Sequence, residues 1–283
     1  MFSTGLLKNR IILITGGATG LGRSMAFKFG SLGASIGIMS RNEQRLSGTV
    51  EDLRKAGINA TFHVADVRKP EEIHTAVDAL ENELGQFNTL INNAAGNFIS
   101  PMEYLSPNAV DSILGIVLHG TFYCTLDLGK RWIERKSGGT VLNIVTTYAT
   151  TGSAYVAPSA AAKGGVLALT RSLAAEWAKY GIRHVAIAPG AFPTEGAWTR
   201  LAPTKDLSDR MLDRIPFKRF GTHDELTDLA TFLISDGASF VNGEAVTIDG
   251  GESIANAAQF GFLSNLREQD WNTIRELTRK PRG

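Results

Sequence analysis

Ile11-Ile12-Leu13-Ile14-Thr15-Gly16-Gly17-Ala18-Thr19-Gly20-Leu21-Gly22 is the stretch whose reading decides the fold. A short aliphatic, β-branched run that stops at glycines reads as a buried parallel strand. Beyond it, Leu21, Met25, Phe29 and Leu32 recur at helical spacing, which predicts a helix from Gly20 to Gly33. Gly16, Gly20 and Gly22 permit a tight turn and close backbone approach, and the helix that follows aims its N-terminal amides at whatever fills the turn. A pyrophosphate suits that place. The spacing is not G-x-G-x-x-G, and a Gly-rich turn without a ligand is the plain alternative, but a strand before and a helix after favour the ligand.

Outward from this stretch the alternation continues. Strands are predicted at Ala34–Ser40, Ala60–Ala65, Thr89–Asn92, Thr140–Val145, His184–Ala188 and Ala245–Ile248. Helices are predicted at Glu43–Ala56, closed by Gly57, then from Pro70 with Glu71 and Glu72 in its first turn, and from about Pro107 through Arg135. Two more follow at Ser159–Tyr180 and Glu225–Ile234. Pro189 to about Asp206 has three prolines and no period, and is expected to be a mobile loop over the site. Strands alternating with helices predict an α/β fold, a parallel sheet covered on both faces. One domain is expected over 1–283, with a core at about 8–251 and a tail, 252–283, that packs on a neighbour or wraps the surface.

Composition narrows the function. With 283 residues, 43% hydrophobic and 20% charged, the chain reads as a soluble globular protein with a sizeable core. A net charge of +1 argues against a general nucleic-acid or anionic-membrane surface. No apolar run approaches the ~18 residues that suggest a membrane span. Cys124 stands alone, so no internal disulfide is expected and a reducing compartment fits. The first strand begins within about ten residues, leaving no room for a leader as numbered, and the terminal R-K-P-R-G is not a peroxisomal address, so a cytoplasmic location is expected. The five histidines show no ligand spacing, so no metal is expected, nor a flavin or iron–sulfur cluster.

Further residues converge on a nucleotide. The second strand ends at Ser40-Arg41 without the acid that would accept a hydrogen bond from an NAD ribose, whereas an Arg there can pair with the 2′-phosphate of NADP. Asp66 ends the third strand, where it either reaches an adenine or caps a helix. Asn92-Asn93-Ala94-Ala95-Gly96 ends the fourth with small residues that let a cofactor lie close.

Taken in order, T-G-x-x-x-G-x-G at 15–22, N-N-A-A-G at 92–96, a Lys on a long helix at 163 and Pro189-Gly190 resemble the short-chain dehydrogenase/reductase family over roughly residues 8 to 251. The resemblance implies a doubly wound, Rossmann-like sheet of seven strands and a homotetramer. It implies cofactor contacts at Thr15, Gly16, Gly17, Gly20, Leu21, Gly22, Ser40, Arg41, Asp66, Val67, Asn93, Ala94, Lys163, Pro189, Gly190 and Phe192. Most members reduce carbonyls with a Tyr four residues before the Lys, aided by a Ser and an Asn. Here those positions hold Ser159, Thr146 and Val117. A Ser hydroxyl is far too weak an acid to replace a phenol. Tyr155 is expected in the loop ahead of the helix.

The segments A-A-G-N-F-I-S-P at 94–101, L-S-P-N-A at 105–109, T-T-Y-A-T-T-G-S at 146–153 and P-S-A-A-A-K at 158–163 resemble mitochondrial-type 2,4-dienoyl-CoA reductases. That subgroup uses a Tyr beyond the fifth strand, and the match falls on Tyr148, with Asn97, Ser159 and Lys163 completing the catalytic set. The resemblance implies NADPH-dependent reduction of 2,4-dienoyl-CoA to 3-enoyl-CoA in oxidation of unsaturated fatty acids. Hydride enters at C5, Asn97 and Tyr148 hold the oxyanion, and Tyr148 protonates Cα. Lys163 binds the nicotinamide ribose, and Ser159 hydrogen-bonds cofactor or substrate. The acyl-CoA is expected at Arg41, Arg68, Phe98, Ser106 and Arg200, Arg being suited to phosphate and Phe98 to an acyl channel. A reductase of another activated alkene, such as 2-enoyl-CoA, and a non-catalytic NADPH-binding subunit remain the alternatives.

Overall fold

A computed structural model describes residues 2–194 and 204–279. Seven strands form one sheet: β1 (Ile11–Thr15), β2 (Ser35–Ser40), β3 (Ala60–Val64), β4 (Thr89–Asn92), β5 (Gly139–Ile144), β6 (Ile182–Pro189) and β7 (Ala245–Ile248). They are parallel and ordered β3-β2-β1-β4-β5-β6-β7. The chain builds outward from β1 in one direction, then returns to β1 through β4 and builds in the other. The crevice where that order reverses, beyond the strands' C-terminal ends, is where ligands bind in such sheets.

Helices cover both faces because each buries one apolar stripe. On one face lie α1 (Gly20–Ser31) and α2 (Glu43–Lys55), joined by α9 (His223–Ile234). Met25, Phe29, Leu46, Leu53, Leu226 and Leu233 pack there against Ile12, Ile36 and Ile38. The other face carries α3 (Pro70–Leu84), α4 (Pro107–Leu114), α5 (Gly120–Arg135) and α7 (Ala157–Glu176). There Ile73, Val77, Leu80, Leu128 and Trp132 close over Leu13, Leu90 and Val141. Trp132 is fully buried, and its indole N–H donates to the Phe87 carbonyl at 2.6 Å, so burying that ring leaves no donor unpaired.

Local signals set the ends. Asn42 caps α2 by accepting from the Arg45 amide at 2.8 Å. Thr222 and Glu225 form a reciprocal capping box on α9. Pro158 in the first turn of α7 starts that helix at Ala157, two residues before the sequence predicts; it ends at Glu176, and Ala178–Tyr180 is a separate 3-10 turn.

Other expectations change more. The predicted helix from Pro107 to Arg135 is continuous but contains a π-helical stretch, Gly115–His119, between α4 and α5. The extra residue per turn puts Val117 into a buried cluster with Ile113 and Ala162. These 29 residues are long and apolar enough to pass for a membrane span, contrary to the expectation that no run is. Ile113, Val117, Cys124, Leu128 and Trp132 are buried within the domain, so the segment is one layer of it. The loop after β6 includes a further helix, α8 (Lys205–Asp213), capped by Thr204, where only irregular chain and its end were expected. The tail forms α10 (Glu252–Ala257), a 3-10 turn at Gly261–Asn265 and α11 (Glu268–Arg279).

Candidate active site

The turn after β1 is stitched to the end of β4. Thr15 Oγ accepts from the Asn93 and Ala94 amides at 3.0 and 2.9 Å, and the Asn93 side-chain amide donates to the Thr15 and Gly16 carbonyls at 3.1 and 3.2 Å. Thr15 and Asn93 therefore build the cradle by binding each other, where the sequence predicts contacts to the cofactor. Their mutual bonds demand glycine at 22: a Cβ there would lie 2.5 Å from both Asn93 Nδ2 and the Gly16 carbonyl oxygen. Gly20 adopts φ +51°, and a Cβ on it would meet Thr194 at 3.3 Å. A dinucleotide fits this arrangement, since the small residues leave backbone amides at the start of α1 within reach of a pyrophosphate. Thr194 was not foreseen; five residues after Pro189 in sequence, it reaches the turn only because the loop folds back.

At the ends of β2 and β3 the predicted residues separate. Ser40 closes β2, and its carbonyl accepts from the Ala65 amide at 3.0 Å. Arg41 is exposed and makes no hydrogen bond or ion pair among the described residues, so its guanidinium remains available to a phosphate. Asp66, expected near an adenine, is paired with its neighbour Arg68. Its carboxylate takes the Arg68 guanidinium at 2.5 Å and the Arg68 amide at 3.0 Å. That hydrogen bond from Arg68 outweighs burial, which pushes the other way, and holds the Asp66 carboxyl below the usual range. Arg68, expected on substrate phosphate, is committed to the same pair. Val67 is buried against Gly120 at the start of α5. Leu21 is half-buried on the core of the α1 face.

Beyond β5 the catalytic candidates meet. Tyr148 sits past the strand, as the first residue of a one-turn helix, α6 (Tyr148–Thr151). Asn97 Nδ2 donates to the Tyr148 phenol oxygen at 3.3 Å, and Ser159 Oγ lies 3.3 Å from the same oxygen. Ser159 is thus a partner of Tyr148, where the sequence predicts a bond to cofactor or substrate. Asn97 Oδ1 accepts from the Phe98 amide at 2.9 Å, which fixes the amide's orientation. Lys163 is buried and donates to the Ile144 carbonyl; burial alone lowers its ammonium to about 8. Thr146, two residues before Tyr148, has its hydroxyl oxygen buried without a partner among the described residues. Tyr155 lies ahead of α7 with φ +64° and an exposed ring, and its carbonyl accepts from the Ser100 amide at 2.9 Å.

The remaining substrate and loop candidates are mixed. Phe98 is half-buried against Ile113, Val117 and Ala162. Ser106 is spent as the cap of α4, accepting from the Ala109 amide at 3.2 Å. Pro189 ends β6, and the Gly190 amide donates to the Ile248 carbonyl at 2.9 Å. Phe192 is buried, its ring against Gly221, so it belongs to the core where the sequence expects a cofactor contact. Arg200 lies outside the described residues. The described residues hold no group of three or more His, Cys, Asp or Glu able to bind a metal.

With the turn after β1, the α7 lysine and the Tyr148–Asn97 pair described, comparison with known proteins shows the family. A family model described as enoyl-(acyl carrier protein) reductase matches residues 16–253. The chain belongs to the short-chain dehydrogenase/reductase family and is an oxidoreductase of that kind. It is 40% identical to a probable 2,4-dienoyl-CoA reductase of Caenorhabditis elegans described as (3E)-enoyl-CoA-producing, over 99% of this chain and 92% of that one. It is also 40% identical to a probable 2,4-dienoyl-CoA reductase of Bacillus subtilis described as (2E)-enoyl-CoA-producing, over 87% of this chain and 97% of the relative. Among solved structures, a gluconate 5-dehydrogenase from Burkholderia cenocepacia in complex with NADP and tartrate superposes with a TM-score of 0.82 at 33% identity, covering 87% of this chain and 96% of that one.

Proposed function

We propose that this protein reduces 2,4-dienoyl-CoA to 3-enoyl-CoA with NADPH, as a step in oxidation of unsaturated fatty acids. The observation that carries this reading is the Tyr148 phenol held between Asn97 and Ser159 while the ordinary carbonyl-reducing position is a serine. NADPH, when bound, supplies the hydride. What remains for the protein is charge and protons. A conjugated thioester that accepts hydride develops negative charge on its carbonyl oxygen, and donors already in place stabilise that charge without reorganising. Asn97 Nδ2 and the Tyr148 O–H are such donors, and Ser159 and Phe98 N–H hold them in position. Tyr148 then gives its proton to Cα, which leaves the double bond at C3. Lys163, its ammonium lowered by burial to about 8, is largely protonated at neutral pH and places a positive charge beside the Ile144 carbonyl at the end of β5. Unpaired, exposed Arg41 supports NADPH over NADH, because an Arg can meet a 2′-phosphate that an acid would repel.

The Bacillus relative's description as (2E)-enoyl-CoA-producing favours a second reading, in which the same dienolate is protonated at a different carbon. One experiment separates the readings. NADPH oxidation is followed with trans,trans-2,4-hexadienoyl-CoA beside crotonyl-CoA and acetoacetyl-CoA, and the diene product is identified by NMR. Fast turnover of the diene alone to a 3-enoyl thioester is expected. A 2-enoyl product moves the site of protonation, and preferred turnover of crotonyl-CoA or acetoacetyl-CoA overturns the proposal.

A further inference from the structure

We propose that His223 is a positioning residue for the nucleotide cradle, holding Pro193–Thr194 against the turn that contains Gly20. The proposal rests on reading Gly16–Gly22 as the dinucleotide site. His223 is the first residue of α9, and its backbone is fixed by the capping box beside it. Arg219 pairs with Glu225 of that box through two bonds of 2.6 and 2.9 Å, which tie the start of α9 to the chain before it.

From this anchor the imidazole reaches two other segments. Its Nε2 lies 2.9 Å from the Pro193 carbonyl oxygen, and its Nδ1 lies 2.7 Å from Ser24 Oγ on α1. A carbonyl only accepts, so Nε2 carries the hydrogen. In the neutral ring Nδ1 therefore accepts, and the Ser24 hydroxyl donates to it. Ser24 has one hydrogen, so its 3.2 Å approach to the Gly20 carbonyl gives way to the shorter contact. The Pro193 carbonyl fixes the direction of the Nε2 bond, and with it the tautomer of the neutral ring. A donor on one side and an acceptor on the other, some two ångströms apart, is a pattern few side chains offer.

The segment so held has a role at the cradle. The Gly221 amide donates to the Ala191 carbonyl at 3.1 Å, and the Phe192 ring packs on Gly221, which guides the chain as far as residue 192. His223 takes over at Pro193. One residue on, Thr194 stands where a Cβ on Gly20 would touch it at 3.3 Å, beside the amides that face a pyrophosphate. Binding α1 and Pro193 through one ring fixes the spacing between those amides and the Thr194 hydroxyl. His223 touches neither reacting group, so its effect falls on nucleotide affinity.

The test compares wild type with His223→Phe, which keeps the volume and loses both bonds, and His223→Gln, which keeps an N–H donor and an acceptor. NADPH affinity is measured directly by fluorescence titration, with kcat at saturating NADPH and melting temperature alongside. The Phe variant is expected to bind NADPH about tenfold more weakly. The Gln variant should recover most of that loss, and kcat at saturation should stay within about twofold of wild type in both. Equal NADPH affinity in wild type and the Phe variant overturns the proposal, and so does a Gln variant no better than Phe. If the Phe variant does not fold, Ser24→Ala, which removes one of the two links, is expected to weaken binding about threefold; unchanged affinity there also overturns it. Wild type that binds neither NADPH nor NADH overturns the cradle reading itself and the proposal with it.

Discussion

The cofactor half of the crevice and the reaction half spend their polar side chains differently. Around β1 to β4, Thr15 and Asn93 satisfy each other, and Asp66 takes Arg68. What this half offers a ligand is backbone amide and empty space, with the Arg41 guanidinium exposed at its rim. Beyond β5, Lys163 is firmly tied to the Ile144 carbonyl, but Tyr148 and Thr146 are held by long bonds or none. The Tyr148 oxygen has two partners at 3.3 Å, and the Thr146 hydroxyl has none among the described residues. A cradle for a large, invariant anion is best built rigid and self-satisfied, whereas a site that must exchange a proton keeps its donors loosely held until substrate arrives.

The cradle is the easier half to break. Gly22→Val forces a side chain into the Asn93–Gly16 contact and should weaken NADPH binding about a hundredfold by overpacking, as read by fluorescence titration. Affinity within about twofold of wild type would mean that the stitch is not what shapes the turn. A gentler cut is Thr15→Val, which removes the hydroxyl acceptor of two amides at nearly constant volume. It should cost about 2 kcal/mol of stability in urea unfolding, with kcat at saturating NADPH little changed.

The reaction half is better read by pH. Lys163, at about 8, loses its charge as pH rises through that value, so kcat/KM for NADPH should fall on the basic side with an apparent pKa near 8. Lys163→Arg should remove that limb whatever else it costs, and a wild-type profile flat to pH 10 would contradict the assignment. Lower down, burial beside Trp177 depresses His184 from 6.5 to about 4. Its unfolded form therefore binds the proton more readily. Its stability contribution is full above pH 6.5 and is lost as pH falls toward 4, at up to about 1.4 kcal/mol per pH unit. His184→Phe should lessen the decline of stability between pH 6.5 and 4, measured by urea unfolding across that range.

The seven strands and their helical cover were legible because β-branched runs and 3.6-residue spacing report burial directly. The Gly-rich turn was legible for the same local reason. Tyr148, Asn97 and Ser159 came from motif resemblance, and their mutual distances came only from the structure, since 51 residues separate Tyr148 from Asn97. The commitments of Thr15 to Asn93 and of Phe192 to the core could not be read, because each depends on which loop folds over which strand end. The π-helical stretch at Gly115–His119 was hidden for another reason: one extra residue in a turn changes no composition. The helix at Lys205–Asp213 carries apolar residues at helical spacing, Leu207 and Met211, but buries none of its residues, and Thr194 and His223 meet the turn through a returning loop.

Tyr148→Phe asks most directly whether the Tyr148 hydroxyl is the acid. The variant is assayed with trans,trans-2,4-hexadienoyl-CoA for kcat and titrated with NADPH in parallel. Its kcat should be lower by about three orders of magnitude with NADPH affinity unchanged, because one hydroxyl leaves a site whose cradle is built elsewhere. A kcat within tenfold of wild type would contradict it and assign the proton to another group.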